Sequence, residues 1–138
     1  MESDRLITVE QLIGEFESNR TWDKQYRLII QLGKKLSPLS DAEKQAENQV
    51  KGCDSIAWLL TENKKGRYFF KMDSNTRVVK GLMMVLTILY QGKTAEEIAD
   101  ININAIFEQL GLLNHLSPSR SNGLLAIVNK IKGVCPVE

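Results

Sequence analysis

Apolar residues recur in this chain at two different periods, and the change between them divides it into helical and extended stretches. Thr8-Val9-Glu10-Gln11 has the form of a capping box ahead of a short apolar face made by Leu12, Ile13 and Phe16. Asn19, Arg20 and Thr21 interrupt it, and Thr21 caps a second helix in which Trp22, Tyr26, Ile29, Ile30 and Gly33 recur near helical spacing. Lys34 and Lys35 suit its C-terminal turn, and Ser37-Pro38 breaks it. Ser40-Asp41-Ala42-Glu43 has capping-box form again and predicts a short polar surface helix to about Gln49. The period then becomes two. Residues 56–61 and 67–72 read as strands joined by a five-residue loop, Glu62-Asn63-Lys64-Lys65-Gly66. Tyr68, Phe70 and Met72 share one face of the second strand, and Arg67, Phe69 and Lys71 the other. The first strand is apolar on both faces and is expected at the centre of the sheet or under helices. Two strands make a marginal sheet, so a third is expected near Lys51 or earlier.

Helical spacing returns after the possible caps at residues 73–76. Residues 77–90 carry Val78, Val79, Leu82, Met83, Val85, Leu86 and Leu89, the most apolar helix and the expected spine of the core. Met83 and Met84 read as core filler. Thr94-Ala95-Glu96-Glu97 is another capping box, Asn102 caps residues 103–110, and Gly111 is a C-terminal stop. Residues 117–123 are rich in caps and carry Arg120. They open a last helix with Leu124, Leu125, Ile127, Val128 and Ile131 on its apolar face, and the tail from Gly133 reads as loose. The expected fold class is α+β, a small antiparallel sheet packed against helices, in one domain spanning residues 1–138.

Composition narrows the function. Eighteen basic against seventeen acidic residues leave no large net charge to attract nucleic acid, and the aromatic residues are not interleaved with a basic run. The longest strongly apolar run, residues 81–89, is too short for a membrane span. No signal sequence is apparent at the N-terminus. The two cysteines, Cys53 and Cys135, have no CxxC spacing, and a reducing, cytoplasmic setting fits best. No phosphate loop or HExxH occurs, and the single histidine, His115, reads as structural or surface.

Chemistry concentrates at Val50-Lys51-Gly52-Cys53-Asp54-Ser55, just before the first strand. A cysteine on a loop at the lip of a sheet is held by a rigid element and still reached. Lys51 would favour its thiolate, and Asp54 would oppose it. Cys53 also fits a second description, a small buried hydrophobe behind an ordinary glycine turn.

The chain resembles the SufE family of sulfur acceptors, which includes the similar CsdE branch. Trp22-Asp23-Lys24-Gln25-Tyr26 leading to Ile30-Gln31-Leu32-Gly33-Lys34 is similar to the family's early helix. Val50 to Trp58 is similar to its GCxSxVW signature, with Ala57 where valine is usual and Asp54 where glutamine or glutamate is common. Asp73-Ser74, Val79-Lys80-Gly81-Leu82 and Leu116-Ser117-Pro118-Ser119-Arg120-Ser121-Asn122-Gly123-Leu124 follow in the family's order. The resemblance implies about three antiparallel strands packed on helices, as in the NifU-type scaffold fold. It implies Cys53 as the persulfide carrier, with Asp73 and Arg120 supporting it, as a mutual pair or beside the cysteine loop. The implied partners are a PLP-dependent cysteine desulfurase of the SufS or CsdA type and a downstream iron–sulfur scaffold or other sulfur acceptor. No cofactor or metal is expected on this chain, since the PLP belongs to the partner. A non-catalytic desulfurase-binding adaptor and an iron–sulfur scaffold are the alternatives; a scaffold needs more thiolates than Cys53 supplies.

Overall fold

A computed structural model describes residues 7–50, 56–112 and 115–135. Its elements run α1 (Val9–Glu17), α2 (Trp22–Gly33), a 3₁₀ turn (Ala46–Asn48), β1 (Ala57–Lys64), β2 (Arg67–Ser74), α3 (Arg77–Tyr90), β3 (Lys93–Thr94), α4 (Ala95–Asp100), α5 (Ile103–Leu110) and α6 (Pro118–Val134). The fold is α+β, with a three-stranded antiparallel sheet in the order β1-β2-β3 among the described residues.

Helix starts follow the local chemistry. Thr8 and Gln11 exchange both capping-box bonds, at 3.0 and 2.9 Å, and Thr94 and Glu97 do the same at the start of α4. Thr21, Asn102 and Ser117 accept from backbone N–H groups three residues on, and Gly111 ends α5 at a φ of 79°.

In α3 every residue from Gly81 to Tyr90 is buried, so this helix is the spine around which the rest packs. Helix α2 lies against it at very close range, because a side chain on Gly81 would run into the Ile29 carbonyl. A Cβ on Gly33 would come within 2.9 Å of the Gly81 nitrogen. Two glycines inside helices forfeit propensity and gain an approach that no larger residue permits. Gln25, fully buried in α2, donates to the Leu110 carbonyl at 3.0 Å and ties α2 to the end of α5.

The sheet differs from expectation in three ways. The hairpin turn has only two central residues, Lys65 and Gly66, with φ of 56° and 85°, the double positive φ that a tight twisted hairpin requires. Asn63 is paired with Tyr68 within β1 instead of turning, and its Oδ1 accepts from the Gly66 N–H at 2.9 Å. Second, of the two positions expected for β1, the centre of the sheet is taken by β2, and β1 is the edge of the described strands with one face covered. Ala57 and Leu59 are buried on one face of β1, whereas Trp58 and Leu60 are only half-buried on the other. Third, the added strand is β3, pairing with β2 at Arg67↔Thr94 and Tyr68↔Lys93. Before Cys53 the sheet gains one isolated bridge, Gln49↔Trp58. Where β3 stops, the Gln91 side chain replaces it, accepting from Phe70 N–H at 2.6 Å and donating to Phe70 C=O at 3.3 Å.

Two further expectations fail. The Ser40–Glu43 capping bonds form, at 2.9 and 3.3 Å, yet only a turn and then a 3₁₀ turn follow. No residue from 40 to 49 is buried, so nothing apolar rewards a helix there. The stretch from Gly133, expected to be loose, is packed as far as residue 135, and residues 136–138 lie outside the described residues. Helix α6 continues to Val134, and Cys135 is only 3% exposed, its thiol pushed up to about 11 by burial.

Candidate functional site

The strand ends beside Cys53 are anchored. Residues 51–55, with Lys51, Cys53 and Asp54, lie outside the described residues, so the chemistry expected of Cys53 is approached from its flanks. On the N-terminal side, the Val50 N–H donates to the Ala57 carbonyl at 2.8 Å. On the C-terminal side, the Ile56 carbonyl accepts from Ser74 Oγ at 2.8 Å and from the Asn75 N–H at 3.3 Å. Both flanks therefore meet at one end of the sheet, where β1 begins and β2 finishes. Val50 is buried, whereas Ile56 is 43% exposed.

Asp73 stands opposite Trp58 in the β1–β2 register at this end and is 2% exposed. One carboxylate oxygen accepts from the Leu39 N–H at 3.0 Å and lies 3.6 Å from Lys44 Nζ. The other accepts from the Ser74 N–H at 2.8 Å and lies 3.6 Å from Lys80 Nζ. A buried carboxylate is expensive unless charges and donors surround it, and here both are supplied. Lys44 Nζ also sits 5.0 Å from the centre of the Trp58 ring, within cation–π range. Asp73 thus joins the chain after α2, the strap of residues 40–49, and α3.

Arg120 makes none of these contacts. It is half-buried in the first turn of α6, its backbone N–H on Ser117 Oγ at 3.2 Å. Among the described residues no ion pair joins Arg120 to Asp73, so the mutual pair expected from the sequence is replaced by Lys44–Asp73–Lys80. Two lysines already neutralise the carboxylate.

The remaining polar groups at this end hold the strap. Glu43 pairs with Lys71 at 3.2 Å, and Asn48 Nδ2 donates to the Glu43 carbonyl at 2.9 Å. The Ser40 backbone N–H, then Lys71, hold the Glu43 carboxyl below its ordinary range. Lys130, from α6, donates to the carbonyls of Glu47 and Gln49 at 3.4 and 3.2 Å.

Lys44 and Lys130 were not singled out by sequence, and Lys80 only as a member of the Val79-Lys80-Gly81-Leu82 motif. Lys80 left a signal, the one charged residue in the run of residues 78–90. Lys44 and Lys130 left none, since each looks like any surface lysine. His115 stacks on Trp22 with ring centres 5.2 Å apart, and Trp22 meets Tyr26 edge-on at 5.6 Å. That accounts for His115 as a packing partner. No group of three or more His, Cys, Asp or Glu among the described residues is arranged to hold a metal ion, and none of the helices among them is long and apolar enough to cross a membrane.

This geometry meets two comparisons with known proteins. A solved solution structure of a hypothetical protein from Thermus thermophilus superposes with a TM-score of 0.72, covering 91% of this chain and 90% of that one. At 16% identity it establishes the shared fold alone. The family described as "SufE: Fe-S metabolism associated domain" matches residues 10–135 of the 138. That span contains both flanks of the Cys53 segment, the Asp73 network and the cap-rich entrance of α6. The chain therefore belongs to the SufE family, a family associated with iron–sulfur metabolism.

Proposed function

We propose that this protein is a sulfur carrier that takes persulfide sulfur onto Cys53 from a PLP-dependent cysteine desulfurase, of SufS or CsdA type. The observation that supports it is the SufE family match over residues 10–135, read together with the likeness of residues 50–58 to the family's GCxSxVW signature, in which Cys53 would be the cysteine. The anchored flanks at Val50 and Ile56 support it, because a nucleophile at the end of a rigid sheet is presented from a fixed base.

The step is thiol exchange on a persulfide. The Cys53 thiol gives up its proton, and the thiolate attacks the outer sulfur of the donor's cysteine persulfide. A bond forms between Cys53 sulfur and that outer sulfur. The donor's own S–S bond breaks, and its cysteine leaves as a thiolate that takes up a proton. One S–S bond replaces another and the transferred sulfur keeps its oxidation state, so no external oxidant is needed. Relieved of its persulfide, the desulfurase turns over faster, and the carrier passes sulfur toward iron–sulfur cluster assembly. The PLP stays on the desulfurase, and this chain needs no cofactor for its own step.

Intact-mass measurement after incubation with a desulfurase and cysteine tests the assignment. One added sulfur should map to Cys53 and vanish in Cys53→Ser. Cys135, buried with its thiol pushed up to about 11, should remain unloaded and unalkylated in the native protein at about pH 8. Sulfur mapping to Cys135 would overturn the assignment. Desulfurase binding with no sulfur on either cysteine would mark a non-catalytic adaptor instead.

A further inference from the structure

The strap between Leu39 and Val50 crosses ten residues without burying one side chain, although Leu39 and Val50 at its ends are both buried. Hydrophobic packing therefore cannot locate it. Its first half is held from the sheet, through Lys44 on Asp73 and Glu43 on Lys71. Its second half is held from α6. That helix is fixed by Leu124, Ile127, Val128 and Ile131, all buried, and Lys130 stands next to Ile131. From this base Lys130 Nζ reaches the carbonyls of Glu47 and Gln49. The donor carries a full positive charge, which strengthens these two bonds although both are long, at 3.4 and 3.2 Å.

Their position gives them a consequence for chemistry. Gln49 forms the bridge to Trp58, and Val50 donates to Ala57. The next residue but two is Cys53. We propose that Lys130 is a positioning residue for sulfur transfer: by clamping Glu47 and Gln49 to α6, it fixes the base at Gln49 and Val50 from which the chain runs on to Cys53. This rests on the proposed function above. Lys130 holds the Glu47 and Gln49 carbonyls. It acts through backbone, and misplacing a reacting group by about 1 Å costs up to roughly a hundredfold in rate.

The test compares Lys130→Met, which keeps length and loses the donors, with Lys130→Arg, which keeps them. Single-turnover sulfur transfer from a persulfide-loaded desulfurase is measured at saturating desulfurase, with desulfurase affinity and melting temperature measured on the same samples. Lys130→Met should slow the saturated rate about tenfold, leave affinity unchanged, and be largely rescued by Lys130→Arg. Lys130→Met with the wild-type saturated rate, or with a change in affinity alone, would overturn the proposal. If Lys130→Met does not fold, amide exchange at Val50 in Lys130→Gln takes its place. Faster exchange at Val50 with an unchanged helical core supports the clamp, and unchanged exchange removes it. Cys53→Ser, run in parallel, separates the two claims. Sulfur loading that survives it defeats the carrier assignment, while Val50 exchange still decides whether Lys130 holds the arm.

Discussion

Where α2 crosses α3, Gly33 and Gly81 bring two backbones into contact beside the fully buried Ile29, and shape alone holds the pair. At the end of the sheet, Asp73, Lys44, Lys80 and Lys130 hold loops to strands and helices through charge and hydrogen bonds, mostly to backbone. Close packing has no graded response: a methyl group either fits or the helices separate. A polar rim responds in smaller steps, because a lost bond can be partly replaced by water. The contrast suits the proposed sulfur carrier, which would hold one thiol firmly while its surroundings admit a partner.

The sharpest way to break this contrast is to add one methyl group at the crossing. Gly81→Ala should destabilise by about 3 kcal/mol, the scale of overpacking into a fixed core. Gly14→Ala is the matched control, since a Cβ there meets nothing and helix propensity favours alanine by about 1 kcal/mol. Denaturant unfolding of both should give opposite signs, and equal effects would show that the crossing is not tight.

The rim should yield less. Asp73→Asn keeps the shape and loses the charge that two lysines share, each about one-third exposed and able to hydrate, at 34% and 33% for Lys80 and Lys44. The expected loss is about 2 kcal/mol. Arg120→Lys should change stability by less than about 0.5 kcal/mol, and the double variant should be additive within about the same margin. A coupling well above that would restore the Asp73–Arg120 pair. Sulfur transfer per folded molecule, measured alongside, reports separately on any role of Arg120 near Cys53.

The smallest effect lies at the outer edge of the rim. The folded-state pKa of Glu43 is depressed, so its contribution is present above its ordinary value of 4.5 and lost as pH falls through the folded value. Glu43→Gln should therefore differ from wild type in melting temperature at about pH 7, and the gap should narrow toward about pH 3. A gap that stays constant with pH would mean that the Glu43 charge contributes nothing to holding the strap.

Features settled within about four residues were legible in the chain before it folds. The caps at Thr8, Thr21, Thr94, Asn102 and Ser117, the stop at Gly111 and the apolar span of α3 all appear where local pattern places them. Donor and acceptor there are near neighbours, so spacing is enough to find them. The family motifs, which include Gly33 and Gly81, were also legible, although why glycine is needed was not. That reason is a contact between helices far apart in sequence.

Which charges meet was settled only by packing. Asp73 reaches Leu39 across 34 residues and Lys130 reaches Gln49 across 81. Nothing in the neighbourhood of either residue names its partner. The same cause explains the failed helix after Ser40. Its capping box was real, but with no apolar face the strap gained more from Lys71, Asp73 and Lys130 than from helical hydrogen bonds. It likewise explains why β1 became an edge. An apolar run shows that a strand will be covered, and only the packed molecule decides whether another strand, a helix or a lysine over a tryptophan covers it.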